Sequence, residues 1–224
     1  MHARDRVLSA CGALAAAGQQ DMVWGHVAVR DEAGRGVWIK RSGVGYDELT
    51  PDDVHLVDWR GDLIEGTGRP HIEVFMHLEI MRARPDAVAT VHSHAPAVNA
   101  FSALDEPLRA ISHAGVLFAD PQIPRSRLSG DLIADAERAR DLAVELGPHL
   151  ACLLPRHGFV AAGRSDAEAV MASVLLEAAC REYLDARACG EIRSYSDAEE
   201  IAQKRAHVWP DSQIEAGYAY LCRR

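Results

Sequence analysis

The sequence has no excess of basic charge: 24 Lys and Arg stand against 33 Asp and Glu, a formal net charge of −9. A nucleic-acid interface needs clustered Lys and Arg, so the composition argues against that partner. Any anion bound here must be held by a few placed groups. No apolar run reaches the roughly 18 residues of a membrane span, so a cytoplasmic protein with no membrane partner is expected. Cysteine is sparse: Cys11, Cys152, Cys180, Cys189 and Cys222 make an odd total of five, with no C-x-x-C spacing. Free thiols in a reducing compartment are the expectation. Leu8-Ser-Ala-Cys11 imitates a lipoprotein cleavage box, but the charged Arg4, Asp5 and Arg6 before it leave no room for an apolar signal core. There is no repeat, low-complexity tract or linker. With 48% apolar residues, residues 1–224 suffice for one domain with a sizeable core.

What is present is a regular alternation of elements. Val7, Leu8, Cys11 and Leu14 mark one face of a helix over 3–18, closed by Gly18. Strands are expected at His26–Arg30, Val37–Lys40, His55–Trp59 and Leu63–Ile64, with turns at 31–36 and 60–62. Arg41 to Gly45 is a Gly-rich loop, and Thr50-Pro-Asp-Asp53 a capped turn. Ile72 to Arg84 reads as a helix stopped by Pro85, followed by a buried strand over Ala87–His94 and a short helix over Pro96–Leu104. Gly115–Phe118 reads as a strand and Gly130–Leu146 as a helix. Ala151–Leu154 and Phe159–Ala162 are strand pieces flanking His157, and a capping box at Ser165–Glu168 opens a helix to about Ala188. Two shorter helices follow over 197–206 and 211–222. This order suggests an α/β sandwich with a mixed sheet and helices on its faces.

Thr90-Val-His-Ser-His94 is the sharpest chemical feature. On a strand, residues i and i+2 share a face, so His92 and His94 project together. Two such imidazoles either begin a metal site or are hydrogen-bonded at a strand end, because a metal needs a third ligand and usually a fourth. His157, in the turn Pro155-Arg-His-Gly-Phe159, offers the third. Glu73, near the start of the preceding helix, is a fourth ligand or an acid/base beside the metal. His77 lies one helical turn from Glu73, either as a competing ligand or as a hydrogen-bonded packing residue.

These residues sit among segments that resemble the class II aldolase/adducin family over nearly the whole chain. Gly25-His-Val-Ala-Val-Arg30 matches a Gly-Asn-x-Ser-x-Arg segment, and Arg41-Ser-Gly43 with Leu49-Thr-Pro-Asp-Asp53 matches Pro-Ser-Gly with Leu-Thr-Pro-x-Asp. Glu65-Gly with Arg69-Pro-His-Ile-Glu73 matches Glu-Gly with Lys-Pro-Ser-Ser-Glu. Arg84 to Pro96 matches the metal strand, and Arg156-His-Gly158 through Gly163 the last ligand segment.

The resemblance implies a single-domain α/β/α sandwich around a mixed, largely antiparallel sheet. It implies one divalent metal ion per subunit (zinc, manganese, iron or cobalt) on His92, His94 and His157, with Glu73 as ligand or acid/base. It further implies a small-molecule substrate and a homotetramer with intersubunit active sites, where His113 stands near the position of a tyrosine proton donor.

Where the family's sugar-phosphate enzymes cradle phosphate with Asn and a Ser-Ser pair, this chain has His26 and His71-Ile72, and Arg41 replaces the Pro before Ser42-Gly43. Lost hydroxyl donors weaken a phosphate cradle. His26, Arg41, Ser42 and Gly43 are the expected substrate-binding residues. Arg41 either forks a substrate carboxylate or is a solvated surface arginine. The variants resemble the family's aromatic, 3,4-dihydroxyphthalate-type decarboxylase branch. The expected function is therefore metal-dependent decarboxylation of a hydroxylated aromatic (di)carboxylate through a metal-stabilised phenolate, with Glu73, His71 or His113 supplying the ring proton. The alternatives are an aldolase, epimerase or dehydratase for a small hydroxycarbonyl or sugar-like compound, and a metal-free binding module. The C-terminal aromatics Trp209, Tyr218 and Tyr220 are expected either to pack in an interface or to form a lid.

Overall fold

A computed structural model describes residues 1–224. Seven strands form one sheet: β1 (His26–Arg30), β2 (Gly36–Lys40), β3 (Val54–Asp58), β4 (Leu63–Glu65), β5 (Ala89–Ser93), β6 (Ala151–Leu154) and β7 (Gly158–Gly163). Their order is β4-β3-β2-β1-β5-β7-β6, and every neighbouring pair is antiparallel. Parallel pairing is confined to an isolated bridge between Arg125 and Leu153. The helices are α1 (Ala3–Ala16), α2 (Val74–Ala83), α3 (Pro96–Ser102), α4 (Val116–Ala119), α5 (Ala136–Leu146), α6 (Asp166–Cys189), α7 (Ala198–Val208) and α8 (Asp211–Leu221).

Side chains alternate across a strand, so each strand feeds two cores. Val27, Val29, Val91, Phe159 and Ala161 join Leu14 of α1 and Leu176 of α6 in the larger core. On the other face Val160 and Ala162 pack with Met76 and Ile80 of α2 and Leu142 of α5, while Ala28 and Ile39 pack with Leu78. The result is an α/β/α sandwich. Arg6 of α1 grips the Asp166 carboxylate at the start of α6 through Nε and one terminal nitrogen, at 2.7 and 2.8 Å.

Two elements differ from their expected form. Gly115 caps the one-turn helix α4 and Val116 to Phe118 lie within it, rather than in a strand; Val116 is buried against Ala110 and Ile201 of α7. Periodicity cannot distinguish a four-residue apolar run in a strand from one helical turn. The helix expected from Gly130 starts only at Ala136, where the Asp135 side chain accepts hydrogen bonds from the Glu137 and Arg138 backbone. The segment before it is an extended loop whose Ile133 N–H is bonded to Glu73.

The register sets the site. His26 pairs with His92 across β1 and β5, and His92 pairs with Val160 across β5 and β7. Both imidazoles lie on the α2 side of the central strands. Glu73 is the N-cap residue of α2, immediately above them.

Candidate metal centre

His92 is fully buried, and its Nδ1 lies 2.8 Å from the Phe159 carbonyl oxygen. A carbonyl only accepts, so Nδ1 carries the proton and Nε2 a lone pair. His94, just past the end of β5, places Nδ1 in a short hydrogen bond with the Asp21 carboxylate. The same reasoning leaves its Nε2 as a lone pair. Yet the two Nε2 atoms are 3.0 Å apart. With both Nδ1 protons committed, the two Nε2 atoms approach this closely around a cation, either a proton or a metal ion. A carboxylate or carbonyl on the far ring nitrogen is the usual support of a metal-binding histidine.

His157 completes the group: its ligating atom and those of His92 and His94 all lie within 4.8 Å of one another. It is aimed from a turn whose Arg156 adopts a φ of 70°. Gly158 permits the approach, since a Cβ there would lie 2.5 Å from the Ser93 carbonyl oxygen and 2.8 Å from His94 Cδ2. Asn99 donates to the His94 carbonyl at 3.1 Å, and the Glu177 carboxylate accepts from Ala97 and Val98, both at 3.0 Å. These bonds hold the end of the histidine strand.

Glu73 is buried among the histidines. Its Oε1 accepts from Ile133 N at 2.9 Å and lies 3.6 Å from His157 Nε2. Its Oε2 is 3.5 Å from His26 Nε2 and 3.9 Å from His92 Nε2. The residues therefore fit a divalent ion on His92, His94 and His157, with Glu73 close enough to join them or to work beside them.

Of the other expected site residues, His26 and His71 belong to this group. Their ring centroids are 4.0 Å apart, and His71 Nδ1 accepts from Glu73 N at 3.3 Å. Arg41, Ser42 and Gly43 stand on the loop after β2; Ser42 and Gly43 are exposed, and Arg41 Nε already bonds Asp53 Oδ1 at 2.6 Å. His113 is exposed on the turn before α4, where its carbonyl accepts the Trp209 indole N–H. Within one chain it does not join the histidine group. His77 is fully buried and bonded through both ring nitrogens, to His26 and to Thr90. Asp21 was not anticipated: it lies in an irregular segment 73 residues from its partner His94, with no motif to mark it.

Burial lowers the proton affinity of these rings. His71 and His77 are each pulled down to about 3 by desolvation, with help from the Lys40 charge on His71 and from His71 on His77. Desolvation, reinforced by neighbouring imidazoles, likewise holds His26 and His92 well below their ordinary range.

The family model described as the Class II Aldolase and Adducin N-terminal domain covers residues 5–184. A 3,4-dihydroxyphthalate decarboxylase from Terrabacter sp. is 30% identical over 218 residues, 89% of this chain and 87% of that protein. A 5-methylthioribulose-1-phosphate/5-deoxyribulose-1-phosphate aldolase from Rhodospirillum rubrum is 30% identical over 159 residues, 71% of this chain and 70% of that one. The solved L-fuculose 1-phosphate aldolase from Glaciozyma antarctica superposes with a TM-score of 0.84 at 26% identity, covering 99% of this chain and 87% of that one.

Two outcomes are expected from this geometry. Replacing His92, His94 or His157 by Ala abolishes metal retention, and Asp21→Asn weakens metal affinity about 10–100-fold without unfolding the chain. Elemental analysis and equilibrium dialysis measure both, and full occupancy in the His94→Ala variant would refute the ligand set. For the metal-free protein, the folded-state values of about 3 for His71 and His77 lie below the ordinary 6.5 of an unfolded histidine. Their contribution is complete above pH 6.5 and is lost as pH falls from 6.5 towards 3, by about 1.4 kcal/mol per pH unit for each ring. Urea unfolding at a series of pH values tests this; a stability unchanged between pH 6.5 and 4.5 contradicts it.

Proposed function

The chain belongs to the class II aldolase and adducin family, and on that premise we propose that it is a metal-dependent carbon–carbon lyase that decarboxylates a hydroxylated aromatic (di)carboxylate such as a dihydroxyphthalate. The observation that carries this reading is the buried pair His26 and His71 beside Glu73, where the resembled sugar-phosphate enzymes have amide and hydroxyl groups. A neutral, polarisable wall of imidazoles suits an aromatic acid better than a phosphate dianion. The dihydroxyphthalate decarboxylase relative, aligned over 89% of this chain, supports the same substrate class.

A divalent cation, when bound by His92, His94 and His157, supplies Lewis-acid stabilisation of charge developing on a substrate oxygen, worth several kcal/mol. Glu73 moves the proton. Its Oε1 is pinned by the Ile133 N–H, so Oε2, facing His26 and His92, is the atom free to exchange one. Oε2 takes the proton of a phenolic hydroxyl and returns it to the ring carbon that bears the carboxylate. That carboxylate is then β to a ketone. The carbon–carbon bond breaks, its electron pair moves through the ring to the oxygen, and carbon dioxide leaves. The phenolate takes a proton from solvent, so one proton is consumed per turnover. His71, with Nδ1 accepting from the Glu73 backbone, keeps its Nε2–H for a substrate acceptor.

An aldol cleavage is the second reading, favoured by the aldolase relative, because removal of a hydroxyl proton by Glu73 serves that reaction equally. Carbon dioxide release from 3,4-dihydroxyphthalate, measured against aldehyde formation from sugar-like substrates, separates the two. The expected result is carbon dioxide release that falls about 10²–10⁴-fold in Glu73→Gln. Aldehyde formation with no turnover of any hydroxyaromatic acid would rule the decarboxylase out.

We further propose that a neighbouring subunit completes the site in a homotetramer and supplies His113. Met22, Trp24, Ile72 and Leu132 are 68%, 53%, 55% and 45% exposed, and each lies within one or three residues of Asp21, Glu73 or Ile133 around the metal group. Light scattering should give about four times the 24.4 kDa chain mass. A monomer at micromolar concentration would overturn the arrangement.

A further inference from the structure

On the Oε2 side of Glu73, three buried side chains from three different elements form one row. Thr90 Oγ1 of β5 is 2.6 Å from His77 Nδ1 of α2. His77 Nε2 is 2.6 Å from His26 Nδ1 of β1. His26 Nε2 has no hydrogen-bond partner, and Glu73 Oε2 lies 3.5 Å from it. All three are 0% exposed. Only His26 was a candidate for substrate contact.

We propose that Thr90 and His77 are positioning residues that lock His26 as an Nε2–H donor aimed at the reaction space beside Glu73. Each imidazole is neutral in this dry layer and carries one proton, so the row has a direction. A carboxylate at one end only accepts, and a hydroxyl at the other end has a proton to give. Running from Thr90 O–H to His77 Nδ1 and from His77 Nε2–H to His26 Nδ1 satisfies both inner bonds and leaves the His26 Nε2–H facing the Glu73 carboxylate, open to an acceptor in the reaction space. The opposite direction aims the His26 Nε2 lone pair at a carboxylate oxygen and leaves the Thr90 hydroxyl proton without a partner. Unmet buried groups of this kind each cost about 1–3 kcal/mol.

The row is not a proton conduit. Passing a proton from His26 to Glu73, with replacement along the row, would end in a threonine alkoxide. Its effect is selection: the site offers a fixed donor at His26. A carboxylate or ionised oxygen of a substrate is welcome there, and an ammonium is not. This deepens the lyase reading, and its kinetic test rests on that reading; the structural test does not.

Neutron diffraction from perdeuterated crystals of the zinc-loaded protein locates the protons directly. Deuterium is expected on Thr90 Oγ1, His77 Nε2 and His26 Nε2. Deuterium on His26 Nδ1 overturns the proposal, since Nε2 would then face the site as a lone pair, as a ligand does. Kinetically, Thr90→Val should lower kcat for 3,4-dihydroxyphthalate about 10–100-fold at unchanged zinc content, and Thr90→Ser should restore it. Wild-type kcat in Thr90→Val overturns the positioning role. If the wild-type protein releases no carbon dioxide, the decarboxylase reading fails and the neutron result alone decides the lock.

Discussion

Two imidazole lone pairs face each other across 3.0 Å, and the rest of the site is organised around that conflict. The Phe159 carbonyl and the Asp21 carboxylate each claim an Nδ1 proton, which turns the Nε2 atoms of His92 and His94 towards a shared cation. The sheet register makes the arrangement rigid. His92 sits on a central strand between β1 and β7, both partners antiparallel, with Gly158 thin enough to let β7 approach. A cation placed there meets three donors already gathered within 4.8 Å of one another.

The same register explains why one site holds so many histidines. The position opposite His92 on β1 is His26, and α2 lays Glu73 and His77 over both. Burial keeps these rings neutral, so they act by direction rather than by charge. Glu73 is held at one oxygen by the Ile133 N–H and turns the other towards His26 and His92.

Much of this was readable in the sequence. The spacing of His92 and His94, the turn around His157 and the place of Glu73 before an apolar helix all carried local signals, and the structure brings the four together. What was not readable depends on contacts between distant residues. Asp21 carries no motif, and its role exists only because the loop before β1 reaches the end of β5. Thr90 has the β-branched side chain common in strands, and its partner His77, 13 residues away, is set by the fold. The helix expected from Gly130 was wrong at its start because the Ile133 N–H bonds Glu73 instead of entering a helix. Arg41 was read from its alignment position, and its bond to Asp53 could not be seen there.

Whether these three imidazoles hold a metal is decided by X-ray absorption at the zinc edge of the zinc-loaded protein. Three imidazole nitrogens at about 2.0–2.1 Å with one or two further oxygen donors are expected. A spectrum with fewer than two imidazoles, or with a sulfur scatterer at about 2.3 Å from one of the cysteines, would contradict this ligand set.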